Sequence, residues 1–271
     1  MDIPFIKMHG LGNDFVIIDN RSMNLDKACL NIPKIADRRR GIGFDQLLIL
    51  STAQSGGDIL MEITNPDGSI AEACGNGTRC VAQLLMTETG LDTVIVETIA
   101  GMLSCNRVAG HLVTVDMGRA LTSWHEIPLA RDADTLNVKL KNAPFDNCTC
   151  VNIGNPHAVF FTEDCGEIPL EKVGPIIENH EIFPERTNVE FATILSPNKI
   201  RMRVWERSAG ITTACGSGAC AVLVAAVRKQ FVSSKADVIL DGGTLSVEWT
   251  KDNRVLMTGP TSMSYRGQFE V

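Results

Sequence analysis

No Cys-x-x-Cys pair occurs in this chain of 271 residues, although it holds nine cysteines. Structural zinc sites are built from such closely spaced pairs, and Cys148-x-Cys150 has no matching pair, so no metal site is expected. An odd number of cysteines in a chain this long also disfavours a disulfide scaffold and suits a reducing compartment. Long apolar runs are lacking too. The longest unbroken one is Ala219 to Val227, against roughly 20 residues needed to cross a bilayer, so no membrane span is expected. Met1-Asp2-Ile3-Pro4-Phe5-Ile6-Lys7 shows no basic stretch leading into an apolar core. No secretory signal, and hence a cytoplasmic location, is the expectation. Nor is there a basic excess: 25 Lys and Arg stand against 32 Asp and Glu, for a net charge of -7. That balance argues against a general nucleic-acid binder. The one basic cluster, Arg38-Arg39-Arg40, is short and reads as a solvated helix end facing the C-terminal dipole.

What the chain does have is a repeat. Ala73-Cys74-Gly75-Asn76-Gly77 and Ala214-Cys215-Gly216-Ser217-Gly218 are nearly the same pentapeptide, 141 residues apart. At that offset Met61-Glu62-Ile63-Thr64-Asn65 lies over Met202-Arg203-Val204-Trp205-Glu206, with nine residues from Asn65 to Cys74 and from Glu206 to Cys215. At an offset of 142, Gly12-Asn13-Asp14-Phe15-Val16-Ile17 lies over Gly154-Asn155-Pro156-His157-Ala158-Val159, and Gln46 over Asn188. One architecture used twice is the natural reading. It agrees with length, since domains run to roughly 150 residues each as a soft prior.

Short β-branched runs bounded by Gly, Asn and Asp dominate both halves. They include Phe15 to Ile18, Leu47 to Leu50, Val94 to Val96 and Leu112 to Val115, then Ala158 to Phe161, Met202 to Trp205, Val238 to Leu240 and Arg254 to Met257. Helical patterns cover Gly77 to about Glu88 and Gly218 to about Phe231, with shorter ones from Ile32 to Arg39 and Leu170 to Asn179. The second long helix is apolar nearly all round, which marks it as buried within its domain. The predicted fold class is α+β, with two pseudo-symmetric domains, each a curved, mostly antiparallel sheet or barrel wrapped around a central helix. Residues 1–117 form one domain, 118–259 the other, and 260–271 are expected to return to the first.

A cysteine just before a helix faces backbone N–H groups without intrahelical partners, at the positive end of the dipole. The dipole is worth about 0.3 to 1 kcal/mol, up to about 2 when partly buried, against about 1.36 kcal/mol per pKa unit. It can thus lower a thiol from about 8.5 by roughly one unit. The same N–H groups suit a carboxylate. Removing the proton beside a carboxylate spreads negative charge onto its oxygens, where such donors stabilise the transition state. Paired Cys74 and Cys215 therefore predict a two-base inversion, one thiolate taking a proton while the opposite thiol delivers another. Cys29, Cys105, Cys148, Cys150 and Cys165 lack the glycine setting, and Cys80 and Cys220 fall inside the helices, so all seven read as structural.

With Leu11-Gly12-Asn13-Asp14-Phe15, Gly41-Ile42-Gly43-Phe44-Asp45-Gln46, Asn65-Pro66-Asp67-Gly68-Ser69, Cys74 to Cys80, Gly154 to Val159, Glu206-Arg207 and Ala214 to Gly218 in place, the chain resembles the diaminopimelate epimerases essentially end to end. The resemblance implies interconversion of LL- and meso-2,6-diaminopimelate in lysine and cell-wall precursor biosynthesis, with Cys74 and Cys215 as acid and base and no pyridoxal phosphate or other cofactor. It also implies a homodimer. By position, Asn13, Gln46, Asn65, Asn155, Asn188 and Arg207 would hold the distal end of the substrate. Gly75, Asn76, Gly216 and Ser217 would hold the reacting end. His157 and Glu206 resemble the pair that meets the reacting ammonium and tunes the thiols. Ser208, Ile211 and Phe44 depart from the usual pattern. Three rivals are weighed: a proline racemase or hydroxyproline epimerase, which typically has His where Asn76 stands; a phenazine-type isomerase of related fold, which lacks the cysteine pair and fits worse; and a thiol redox or ligand-binding protein in which Cys74 and Cys215 form a switchable disulfide.

Overall fold

The computed structural model describes residues 2–71 and 74–270; Ala73, the first residue of the first pentapeptide, lies outside them. The chain divides into two compact units, Met1–Val115 with Gly259–Val271, and Asp116–Thr258.

In the first unit, Asp2–Gly10 pairs antiparallel with both Asn13–Asp19 and Ser262–Glu270. Asn13–Asp19 then runs parallel to Gln46–Ser51, which is antiparallel to Ile59–Thr64. Ile59–Thr64 is parallel to Thr93–Thr98, and antiparallel pairing continues through Gly101–Ala109 to Leu112–Arg119. The second unit repeats this order. Asn147–Asn152 is antiparallel to Pro156–Phe161, which runs parallel to Asn188–Ser196. Lys199–Glu206 is antiparallel to Asn188–Ser196 and parallel to Lys235–Leu240. Gly243–Trp249 and Arg254–Pro260 complete it antiparallel. Both units are thus α+β and mostly antiparallel, as the residue patterns predict.

Register carries the repeat further than motif matching does. Phe15 is opposite Gln46, and the residues 142 further on, His157 and Asn188, are opposite each other. Ile59 faces Val96, and Ile200 faces Val238. Since a slip of one residue turns every side chain to the other face of a sheet, equal register places equivalent side chains on equivalent faces.

Parallel neighbours need a crossover, usually a helix, and each unit has two. Ile32–Ala36 and Leu170–Glu178 serve the first parallel pair of their units; Gly75–Thr89 and Gly216–Arg228 serve the second. Gly216–Arg228 packs against Asn147–Asn152, Pro156–Phe161, Asn188–Ser196, Lys199–Glu206, Lys235–Leu240 and Gly243–Trp249. Every residue from Ala219 to Ala226 in it is buried. Contact on so many sides is why its sequence has no polar face. Leu223→Ala-type truncations in such a site cost about 2 to 5 kcal/mol.

Four helix boundaries differ from expectation, each for a local reason. Both long helices begin two residues earlier, directly after the cysteine, because Cys74 and Cys215 are themselves the N-caps. The second ends at Arg228 rather than Phe231, as Gln230 turns to φ +63°. Ile32–Ala36 stops before the arginines because the Asp37 side chain takes up the Arg39 and Arg40 backbone N–H groups. Arg38 therefore lies beyond the helix, exposed but ion-paired. It bonds Asp14 through two nitrogens and reaches Asp45 Oδ1 at 2.6 Å.

Lys7 pairs with Asp14 from the other side. Burial by itself would raise the Asp14 carboxyl, but Arg38 and Lys7 overrule it and hold its pKa at about 2. Depressed below its ordinary 3.8, this carboxylate contributes stability at pH values above about 4 that is lost as pH falls toward 2. After discounting for partial exposure the contribution is about 1 to 2 kcal/mol. Urea denaturation should therefore show Asp14→Asn to be less stable by about that amount at pH 7. The gap between variant and parent should narrow at pH 2.5; an unchanged gap would refute the ion-pair account.

Candidate active site

In each unit a strand, a tight turn and a crossover helix place one cysteine at the helix start. Cys74 Sγ accepts the Gly77 N–H at 3.4 Å, and Cys215 Sγ accepts the Gly218 N–H at 3.4 Å. Thr78 Oγ1 donates to the Cys74 carbonyl at 2.9 Å. Glycine at the third helical position leaves room for close neighbours, more tightly in the second unit than in the first. A Cβ on Gly77 would lie 3.1 Å from Leu48 Cδ1 and 3.5 Å from Cys74 Sγ. A Cβ on Gly218 would lie 2.9 Å from Glu190 Oε1 and 3.2 Å from Cys215 Sγ.

In the first unit Asn13, Asn76 and Cys74 come together. Asn76 Nδ2 donates to Asn13 Oδ1 at 3.1 Å, and the Cys74 thiol points to the same oxygen at 3.9 Å. The far end of Asn13 is fixed by Asp45, whose Oδ2 accepts Asn13 Nδ2 at 2.9 Å and the Asp14 N–H at 3.1 Å. Gln46 Nε2 donates to Asn65 Oδ1 at 3.1 Å, and Asn65 Nδ2 to Ser69 Oγ at 3.1 Å. Gly75 opens the helix and is buried with Asn76.

In the second unit the surroundings of the thiol are ionic. His157 Nδ1 meets Glu190 Oε1 at 2.7 Å, both wholly buried, and His157 Nε2 lies 2.8 Å from Asn155 Oδ1. Glu206 takes hydrogen bonds from the Thr212 hydroxyl and the Cys215 thiol. Ser217 Oγ lies 3.6 Å from Cys215 Sγ, beside Gly216. Asn188 bridges two chain segments: its Nδ2 donates to the Pro156 carbonyl at 2.9 Å, and its Oδ1 accepts the Arg207 N–H at 2.9 Å. The Arg207 guanidinium bonds the Glu185 carbonyl at 3.1 Å, away from Glu206 and Cys215. Glu206, Asn188 and Arg207 thus meet through backbone and amide contacts, while the arginine head stands apart.

The expectation that the helix lowers both thiols fails for Cys215. Burial, then the charges of Glu206 and Glu190, push its pKa well above the ordinary thiol value, outweighing Ser217 and the Gly218 N–H. A dipole worth at most about 2 kcal/mol loses to desolvation plus two nearby carboxylates. Glu206 is itself raised, first by burial and further by Glu190. These surroundings favour the protonated form of Cys215.

Several participants escaped the sequence reading. Glu190 left a signal: a carboxylate between Val189 and Phe191 in an otherwise buried strand segment. Asp45 lay inside a quoted motif without a role, and Thr212 had no signal at all. The departures resolve simply. Phe44 is 2 % exposed and belongs to the core cluster with Ile3, Val16 and Leu47. Ile211 sits on a two-residue strand opposite Trp205. Ser208 adopts φ +67°, the left-handed region that favours glycine. Its N–H is held by Glu178 Oε1 at 3.0 Å. Among the described residues no group of three or more His, Cys, Asp or Glu is placed to hold a metal ion, and no helix is long and apolar enough to cross a membrane.

Two units of one topology, each with a helix-capping thiol, define the class as an epimerase-like α+β protein. A solved hydroxyproline epimerase from Agrobacterium vitis, with bound trans-4-hydroxy-L-proline, has the same fold: TM-score 0.71 over 98% of this chain and 92% of that one, at 15% identity. The chain belongs to the diaminopimelate epimerase family, whose profile matches residues 5–122 and 149–264. The diaminopimelate epimerase of Rhodospirillum centenum is 49% identical over 97% of this chain and 91% of its own length. That of Acidiphilium cryptum is 47% identical over 98% and 96%. The chain is accordingly an isomerase.

Two outcomes are expected of this geometry. Ser208→Gly should raise the thermal midpoint by a few degrees, relieving about 1 kcal/mol of left-handed strain; a lowered midpoint would show that the serine hydroxyl compensates. Glu206→Gln should lower the Cys215 thiol pKa and speed its alkylation by iodoacetamide, read by peptide mass spectrometry at constant pH. No acceleration would mean that Glu206 does not govern this thiol.

Proposed function

We propose that this chain interconverts LL- and meso-2,6-diaminopimelate without a bound cofactor, with Cys74 and Cys215 as the acid and base. The observation that carries the proposal is the matched pair of thiols, each capping a crossover helix and each receiving the N–H of the third helical residue. Family membership supplies the substrate class.

The proton balance is closed. Cys74 thiolate takes the hydrogen from the α-carbon, whose electron pair moves toward the adjacent carboxylate. Cys215 thiol then gives its own proton to the other face, so the enzyme ends with the two protonation states exchanged. The reverse direction uses the exchanged form. Stabilising the carbanion falls to donors around the reacting carboxylate: Asn76, Ser217 and the N–H groups freed at Gly75 and Gly216. The raised pKa of Cys215 supports its role as donor in the form described, and the Glu206 and Glu190 charges that raise it also suit an approaching ammonium.

A substrate with an amino-acid group at both ends needs a second polar pocket. Asn13, Gln46, Asn65, Asn155, Asn188 and Arg207 offer amides and one fixed cation for the distal carboxylate and ammonium. Arg207 would have to leave the Glu185 carbonyl to reach it. We extend the proposal, on family likeness alone, to a cytoplasmic homodimer.

Incubation of the enzyme with LL-diaminopimelate in heavy water should give meso product carrying deuterium at the inverted α-carbon. Cys74→Ala and Cys215→Ala should each lose epimerisation by about 10³-fold or more, as removal of a proton-transfer group does. Full activity in either variant, or unlabelled product, would refute the two-thiol mechanism. Turnover of proline or hydroxyproline instead of diaminopimelate would overturn the substrate assignment alone.

A further inference from the structure

Glu178 ends the crossover helix Leu170–Glu178 and has no part in the chemistry above. It is 5 % exposed. A carboxylate in the last helical turn stands at the unfavourable end of the dipole, and burial adds to the cost. Helix stability therefore does not account for it. Its partners do. Oε2 accepts the Trp205 indole N–H at 2.7 Å, Oε1 accepts the Ser208 backbone N–H at 3.0 Å, and Arg186 Nη1 also donates to Oε1, at 3.4 Å. Between Trp205 and Ser208 lie only Glu206 and Arg207. One carboxylate thus holds the chain on both flanks of that pair.

The helix surface is shaped for this. Gly174 lies one turn before Glu178, on the same face. A Cβ there would lie 2.5 Å from Trp205 Cγ and Cδ2, so the glycine lets the indole come close enough to the helix for its N–H to meet Glu178. The Ala209 N–H closes the turn on the Glu206 carbonyl at 3.1 Å, with Ser208 at φ +67° inside it. From this turn the Glu206 carboxyl accepts the Thr212 hydroxyl and the Cys215 thiol. The first unit has the same turn 141 residues earlier, the Gly68 N–H closing on the Asn65 carbonyl at 2.9 Å. There the tie is local: Asp67, at the position of Ser208, accepts the Ser69 N–H at 2.9 Å and its hydroxyl at 2.6 Å. In the second unit Ser208 instead gives its N–H to a separate element.

We infer that Glu178 is a positioning residue for the Glu206–Arg207 turn: by holding the Trp205 indole and the Ser208 N–H together it fixes where the Glu206 carboxyl stands against Cys215. Its bearing on catalysis rests on Cys215 being one of the two reacting thiols.

The test uses the full-length enzyme with Glu178→Gln, Trp205→Phe, Glu206→Gln and the double variant Glu178→Gln with Glu206→Gln. Glutamine keeps the size of the side chain, but its amide nitrogen cannot accept, so one flank is released. Trp205→Phe removes the indole donor and leaves the carboxylate in place. Iodoacetamide labelling of each cysteine at constant pH, resolved by peptide mass spectrometry, is read beside steady-state kinetics. Displacing Glu206 should act on Cys215 as replacing it does. Glu178→Gln and Trp205→Phe should each speed Cys215 labelling about threefold or more, leave Cys74 labelling within about twofold, and lower kcat/KM for LL-diaminopimelate about tenfold. In the Glu206→Gln background, adding Glu178→Gln should change Cys215 labelling by less than about 1.5-fold, because effects that pass through one residue do not add. Equal acceleration at both cysteines, the same acceleration of Cys215 with and without Glu206, or unchanged Cys215 labelling in whichever single variant folds would overturn the inference. Failure of the underlying mechanism shows separately, as activity retained in Cys215→Ala.

Discussion

Two hydrogen bonds, from Gly77 N–H to the Cys74 sulfur and from Gly218 N–H to the Cys215 sulfur, tie the two helix-capping thiols to the backbone. A sulfur used as an N-cap cannot wander, because the helix start would lose a partner for one of its orphan donors. The helix in turn cannot shift, since it is the crossover between two parallel strands and, in the second unit, is packed by strands on many sides. Placement of each thiol is thus inherited from the core. The same packing bears on the glycines: a methyl group at Gly218 would crowd the Cys215 sulfur and Glu190, and one at Gly77 would crowd Leu48.

A helix terminus is also expected to acidify a thiol, and the second unit shows how far that expectation reaches. Cys215 has the same N–H donor as Cys74 at the same distance, yet its proton is held tightly. Dipole stabilisation falls off within one turn and is small, whereas removing a thiolate from water and setting it near Glu206 and Glu190 acts in the opposite direction on a larger scale. The buried His157–Glu190 pair offsets part of that charge. Equal backbones thus carry unequal surroundings: Asn13 and Asn76 gather at Cys74, whereas Glu206 and Glu190 act on Cys215.

The frame was legible in the sequence because it depends on patterns that survive divergence. Short β-branched runs, the equal nine-position spacing to each cysteine and the glycine pairs all reflect backbone geometry, and backbone geometry is what the two units share. The register partners Phe15 with Gln46 and His157 with Asn188 follow from the same offset that aligns the motifs. The buried charges near the thiols were harder to see. Glu190 belongs to a strand whose pattern reads simply as buried, and Arg79 to a helix whose charged residue looks like a surface position in one dimension. Only the packing reveals that both side chains are enclosed. Cap residues blurred the boundaries as well, since cysteine is not among the usual N-cap formers and the helices therefore seemed to start at the glycines that follow.

Duplication constrains what such a protein can recognise. Two copies of one site would bind a symmetric ligand symmetrically, and diaminopimelate, with an amino-acid group at each end, is close to symmetric. Inverting one end only requires that the copies diverge where they touch substrate while staying alike where they support it. The substitutions fall in that pattern. Leu48 and Glu190, Asn65 and Glu206, Phe15 and His157 differ at positions adjoining the thiol or its partners, whereas the strand order, the parallel steps and the capping glycines do not. Arg207, whose counterpart 141 residues earlier is Pro66, supplies a cation that the first unit has no equivalent of at that turn. These few replacements act on a frame that remains common to both units.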